Sequence, residues 1–122
     1  MERLRRRADF KAAAGGRRTA RSGFVIQALT ADGNRGSGRK PPRIGFTVTK
    51  KIGNTVVRNR IRRRLREAVK LAESHAEAAT DYVIVARRAA LTLKFERLVT
   101  DLMAGFDALS RGGTQQTGPD AR

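Results

Sequence analysis

Eight lysine and arginine residues stand between Lys50 and Arg66, in the stretch KKIGNTVVRNRIRRRLR, before the first acid, Glu67. Cationic groups at this density do not make a reacting centre. They repel one another, and a solvated helix face does not need so many of one sign. They fit opposite a polyanion, whose phosphates supply the missing negative charge and accept from the planar guanidinium fork. The chemistry this points to is binding, with nucleic acid as the first partner class.

Groups for a reaction are missing. The acids are scattered along the chain, and none pairs with a nearby histidine at metal-ligand spacing. Glu73 and Glu77 stand one helical turn apart, but a solvated helix end explains them better than a metal pair. No G-x-x-x-x-G-K-[ST] loop is present. His75, the one histidine, reads as a surface residue, and there is no cysteine. A Cys/His zinc module and thiolate chemistry are therefore excluded.

The basic stretch must be positioned by a helix. Val57, Ile61, Leu65, Ala68, Val69 and Ala72 recur at helical spacing and make one apolar stripe. Asn59, Arg62, Arg63 and Arg66 fall largely opposite, with Arg60 at an edge. Arg58 and Arg64 lie close to the stripe, so they must snorkel or sit at a helix end. Gly53 suits a special backbone angle in the turn that precedes the helix, and Asn54 or Thr55 suits its cap.

The remaining elements follow in order. Residues 8–14 predict a short helix with Asp9 in its first turn and Gly15-Gly16 as its stop. Phe10 is its one aromatic, either core packing or a ligand contact. Residues 24–30 and 43–49 read as strands. In the second, Ile44, Phe46 and Val48 alternate with Gly45, Thr47 and Thr49, which predicts one buried face. Gly45 would admit a flat base or, more simply, the short helix. The intervening residues 31–42 read as a mobile loop. Residues 81–86, DYVIVA, predict a central strand, and residues 92–109 a second long helix with Phe95, Leu98, Leu102, Phe106 and Leu109 on its stripe. The fold class expected is α+β, an α/β sandwich whose small mixed sheet carries helices on one face, in the order αββ(β)αβα. Residues 1–109 form one domain with a basic segment at 1–21, and 110–122 a disordered tail.

The totals agree with a binding module. The 122 residues suffice for one modest core, and 27 basic against 11 acidic residues leave a formal net charge of +16. An acidic protein or an anionic membrane surface is the second partner class. No apolar run approaches a membrane span, and no secretory signal is visible, so a cytoplasmic protein is expected. RNA fits somewhat better than DNA, because clustered arginines reading shape and phosphate are a common RNA mode. A structural ribosomal RNA-binding protein satisfies these residues equally well.

From Arg43 to Val69, RIGFTVTKKIGNTVVRNRIRRRLREAV, the sequence closely resembles the bacterial ribonuclease P protein family. The Lys50–Asn54 turn and the Arg58-Asn59-Arg60 core carry the likeness, which extends to RLRRRADF, FVI and DYVIVAR. The resemblance implies an α-β fold with a left-handed β-α-β crossover. It also implies an endoribonuclease whose catalytic centre lies in an RNA, with Mg2+ bound chiefly by that RNA. The protein would help remove the 5′ leader of precursor transfer RNA as one copy per catalytic RNA, without DNA or membrane partners. By position, Lys50, Lys51, Asn54, Arg58, Asn59, Arg60, Arg62, Arg63 and Arg66 would face RNA. Phe10, Phe24, Ile26 and Thr47 would line a cleft for the single-stranded leader. Three departures stand out: Ala14 and Gln27 replace frequent aromatics, and Arg64 replaces a frequent apolar residue.

Overall fold

A computed structural model describes residues 1–30 and 41–110. Strand β5 (Thr80–Ala86) is the axis of the sheet. Its continuous apolar run fits a strand covered on both faces. It pairs in parallel with β4 (Arg43–Thr47) and antiparallel with β3 (Phe24–Thr30). Strand β2 (Arg17–Ala20) extends β3 in a hairpin, and the two-residue β1 (Glu2–Arg3) adds in parallel to β4. The order across the sheet is β1-β4-β5-β3-β2.

The register assigns the faces. Phe46 and Ile26 both oppose Ile84 and share one face. On it lie the two long helices, α2 (Thr55–Ala72) and α3 (Phe95–Ser110). Their predicted stripes supply the core: Ile61, Leu65, Leu98, Leu102 and Phe106 are wholly buried. Tyr82 meets Phe106 edge-on, with ring centroids 4.7 Å apart. Val25, Gly45 and Val83 point the other way. There the short helix α1 (Arg7–Ala14) closes a second, smaller core of Leu4, Ala13 and Val83, with Phe10 and Val85 at its edge. Helix α2 forms the crossover between the parallel strands β4 and β5.

Several expectations change. Helices cover both faces, because α1 is too short to join the long pair and instead seals the face of small residues. A further strand lies at Arg17–Ala20, inside the basic segment. Its residues show no apolar alternation. Arg17 anchors it, donating to the Leu109 carbonyl and, at 3.0 Å, to Thr30 Oγ1. His75 is not a free surface residue: it is half-buried, with Nδ1 3.0 Å from Asp107 Oδ1 on α3. Most of the expected 31–42 loop and residues 111–122 of the expected tail lie outside the described residues. Among those described, no helix is long and apolar enough to cross a membrane.

Candidate nucleic-acid interface

The basic helix begins from a braced turn. After β4, Val48 and Ile52 are buried, which pins a turn of 3-10 helix at Lys50–Ile52 and turns Lys50 and Lys51 outward. Gly53 has φ 159° and ψ −169°, a region open essentially to glycine alone. A Cβ there would stand 3.1 Å from Val57 Cγ1. Asn54 then caps α2, its Oδ1 accepting from the Val57 N–H at 3.0 Å.

Three arginines brace this region from below. Arg58 reaches back and donates Nε to the Gly53 carbonyl at 3.1 Å. Arg88, beyond β5, donates to the Ile52 carbonyl. Arg64 runs along the apolar stripe and donates to the carbonyls of Ala90, at 3.1 Å, and Leu93. The two arginines that the periodicity placed beside the stripe thus end on backbone acceptors. Arg64 was legible as an anomaly. Arg88 carried no sequence signal, because its partner lies 36 residues away.

The other cations stay outside. Lys50, Lys51, Asn54, Asn59, Arg60, Arg63 and Arg66 are exposed, while Arg58 and Arg62 are half-buried. Arg62 donates to Asn59 Oδ1 at 3.0 Å. Among the described residues, Lys50, Lys51, Arg60, Arg63 and Arg66 have no ion pair, and Glu67 is already bridged to Lys70 at 3.3 Å. Among the described residues, the cationic face therefore lacks acidic compensation.

The second candidate region is the α1 face of the sheet. Phe10 is half-exposed and packs directly on Gly45: a Cβ on residue 45 would stand 2.5 Å from Phe10 Cζ. The helix contact, and not an open slot, therefore occupies Gly45. Thr47 is half-exposed on the same face, opposite Val85. Phe24 and Ile26 do not line this cleft. Both are wholly buried against α2 and α3. Strand alternation sends them to the opposite face from Val25, Gln27 and Leu29, of which Gln27 is half-buried and Leu29 exposed, so the accessible β3 contribution on that face is Gln27 and Leu29. The signal was available, because a polar Gln27 in an apolar strand marks the open face. Ala14, one turn after Phe10, is exposed and leaves that end of α1 without a ring.

Electrostatics hold α1 in place above the sheet. Arg43 forms a two-pronged pair with Asp81, both contacts at 2.8 Å, and lies 3.6 Å from Asp9 on α1. The hydrogen bond to Asp81 raises the Arg43 pKa further, against the opposing effect of burial. No group of three or more acidic, histidine or cysteine side chains is placed to hold a metal among the described residues.

The family model for ribonuclease P matches residues 1–110. The chain belongs to the ribonuclease P protein family. A ribonuclease P protein component of Paramagnetospirillum magneticum is 45% identical over 118 residues, covering 95% of this chain and 86% of the relative. One from Gluconacetobacter diazotrophicus is 48% identical over 102 residues, covering 82% and 84%. Among solved structures, the RNase P protein of Staphylococcus aureus aligns with a TM-score of 0.70 at 27% identity, over 95% of this chain and 99% of that one. The Thermotoga maritima RNase P protein shares the fold, with a TM-score of 0.71 at 23% identity, over 88% and 96%. The matched span takes in every element from β1 to α3 of this ribonuclease P family member.

Proposed function

We propose that this chain is the protein component of a bacterial ribonuclease P and assists an RNA in removing the 5′ leader of precursor transfer RNA. The observation that carries the reading is the uncompensated cationic face of α2, mounted on a turn that glycine, cap and three arginine braces hold rigid. A rigid array of cations loses little conformational entropy when it meets phosphates. Lys50, Lys51, Asn54, Asn59, Arg60, Arg62, Arg63 and Arg66 bind the catalytic RNA. Arg58 acts mainly by holding the turn. The leader lies along the α1 face, where Phe10 offers a ring for stacking and Gln27 and Thr47 offer hydrogen bonds.

The chain supplies positioning, and the hydrolytic chemistry belongs to the RNA. Mg2+ enters as an ion of that RNA. The described residues hold no group of three acidic, histidine or cysteine side chains that would fit a protein-held site. One protein copy serves each catalytic RNA, in the cytoplasm.

The test is leader cleavage of a precursor transfer RNA at low magnesium, with the catalytic RNA alone, the protein alone and both together. Strong stimulation only when both are present is expected. Tight RNA binding without stimulation would replace this reading with that of a structural RNA-binding protein. Cleavage by protein alone would move the chemistry onto the chain.

A further inference from the structure

A pocket of about 250 Å³ opens where the β2–β3 hairpin meets the start of α3, lined by Ala20, Arg21, Ser22, Arg87, Arg97 and Asp101. Three guanidinium groups share it with one carboxylate. Arg87 donates to the Arg21 carbonyl at 2.9 Å, and its own N–H bonds the Gly23 carbonyl at 2.9 Å. Arg97 donates Nε to Asp101 Oδ2 at 3.1 Å and NH2 to Ser22 Oγ at 3.2 Å. Asp101, itself buried, is thereby matched. Arg21 is different. Its guanidinium makes no hydrogen bond or ion pair among the described residues, and its Nε is buried without an acceptor. Native structures seldom leave a buried cationic donor unanswered. The charges of Arg21 and Arg87 also have no counter-ion among the described residues.

We propose that this pocket is a second anion site, built to take one phosphate group of an RNA backbone. A tetrahedral anion offers oxygens in several directions, which suits guanidinium groups converging from a hairpin, a strand end and a helix. The site differs in kind from the α2 surface, where exposed cations stand singly. It also lies at the same end of the sheet. The C-terminal ends of β4, β5 and β2 and the N-terminal end of β3 come together there. From β4, which leads into the Lys50–Lys51 turn, to β2 is three strand spacings, about 14 Å. An RNA strand crossing that end would meet both sites. Naming RNA as the source of the phosphate rests on the proposed function; the anion chemistry does not.

The first test uses inorganic phosphate against chloride at matched ionic strength, read as the shift in thermal midpoint. Phosphate should raise the midpoint of the wild-type protein. Arg21→Gln removes no hydrogen bond from the fold and should shrink the phosphate response at least threefold. Ser22→Asp places a carboxylate at the mouth and should abolish it. Arg18→Gln removes one charge from an exposed position outside the pocket and should leave the response intact. An unchanged response in Arg21→Gln, or equal losses in Arg21→Gln and Arg18→Gln, overturns the site. Should Arg21→Gln fail to fold, a wild-type response in Ser22→Asp overturns it instead.

The second test measures affinity for the catalytic RNA, and separately affinity of the RNA–protein complex for precursor transfer RNA. Arg21→Gln should weaken whichever arm supplies the phosphate by about 3–10-fold, with the log–log salt slope shallower by about 0.7–0.9. Loss in neither arm overturns the RNA assignment. Failure of leader-cleavage stimulation would overturn the proposed function while leaving the phosphate response in place, so the two ideas can fail separately.

Discussion

Helices α2 and α3 do the same structural work and present opposite surfaces. Both pack an apolar stripe on one face of one sheet, and both bury leucines completely. Outside the stripe they diverge. Helix α2 carries seven basic residues against one acid, while α3 carries one against three. On α3 two of the three acids have side-chain partners: Asp101 pairs with Arg97, and Asp107 lies within hydrogen-bond distance of His75. Among the described residues, the exposed arginines of α2 have no acidic partner. Equal packing with unequal outer faces separates the demands of folding from those of binding. The stripe is what a core requires, and the unanswered charge is what a partner requires.

The two stripes should contribute equally to stability. Leu65→Ala on α2 and Leu102→Ala on α3 remove equivalent, wholly buried side chains. Each should cost about 2–5 kcal/mol in urea unfolding, because each leaves a cavity under a helix. A cost confined to α3 would mean that α2 is held by something other than its core face.

A smaller effect comes from the sheet beneath α3. Burial raises the Tyr82 phenol above its ordinary pKa of 10.0, partly opposed by the hydrogen bond that the Glu77 N–H donates to it. The unfolded chain therefore ionises first as pH rises. Stability from this group is intact below about pH 10 and is lost as pH climbs through the raised folded value. Tyr82→Phe should remove that alkaline loss while costing about 0.5–1.5 kcal/mol at neutral pH. Unfolding curves at pH 7 and above pH 10 would show it, and an unchanged alkaline decline would assign the decline elsewhere.

The cap of α2 is next. Asn54→Ala should cost about 1 kcal/mol, since the Val57 N–H loses its acceptor. It should also loosen the turn that presents Lys50 and Lys51, so RNA affinity should fall although no charge is lost. Affinity unchanged at a 1 kcal/mol loss would show that the rigidity of the turn is irrelevant to binding.

The smallest stability effect carries the sharpest sign. Arg60→Gln with Arg63→Gln removes a like-charged pair one turn apart. It should leave stability equal or raise it by about 0.2–0.5 kcal/mol. RNA binding should weaken, with a salt slope shallower by about 1.4–1.8. A stability loss without a change in slope would turn these two arginines into structural residues.

Much of this molecule could be read along the chain. The α2 stripe from Val57 to Ala72, the Asn54 cap and the central strand DYVIVA all rest on local periodicity or on a few neighbouring residues. The errors have physical reasons too. Strand β2 hides in Arg17-Arg18-Thr19-Ala20, where no pattern marks it, because long-range anchors such as Arg17 to Leu109 hold it in place. The family resemblance points Phe24 and Ile26 toward the cleft. Alternation from Gln27 places them in the core.

The charge of the basic helix, its apolar stripe, the exclusion of thiolate chemistry and of a Cys/His zinc module, and the type of most elements were legible along the chain. Each depends on side-chain identity or on spacing within one helix or strand. Packing set the rest: which sheet face β3 gives to α1, which arginines brace backbone carbonyls, and the meeting of Arg21, Arg87 and Arg97 in one pocket. Those outcomes depend on contacts between residues far apart in the chain, such as Ser22 and Arg97, 75 positions apart. Local periodicity cannot encode them. They appear only when packing on a shared sheet brings the elements together.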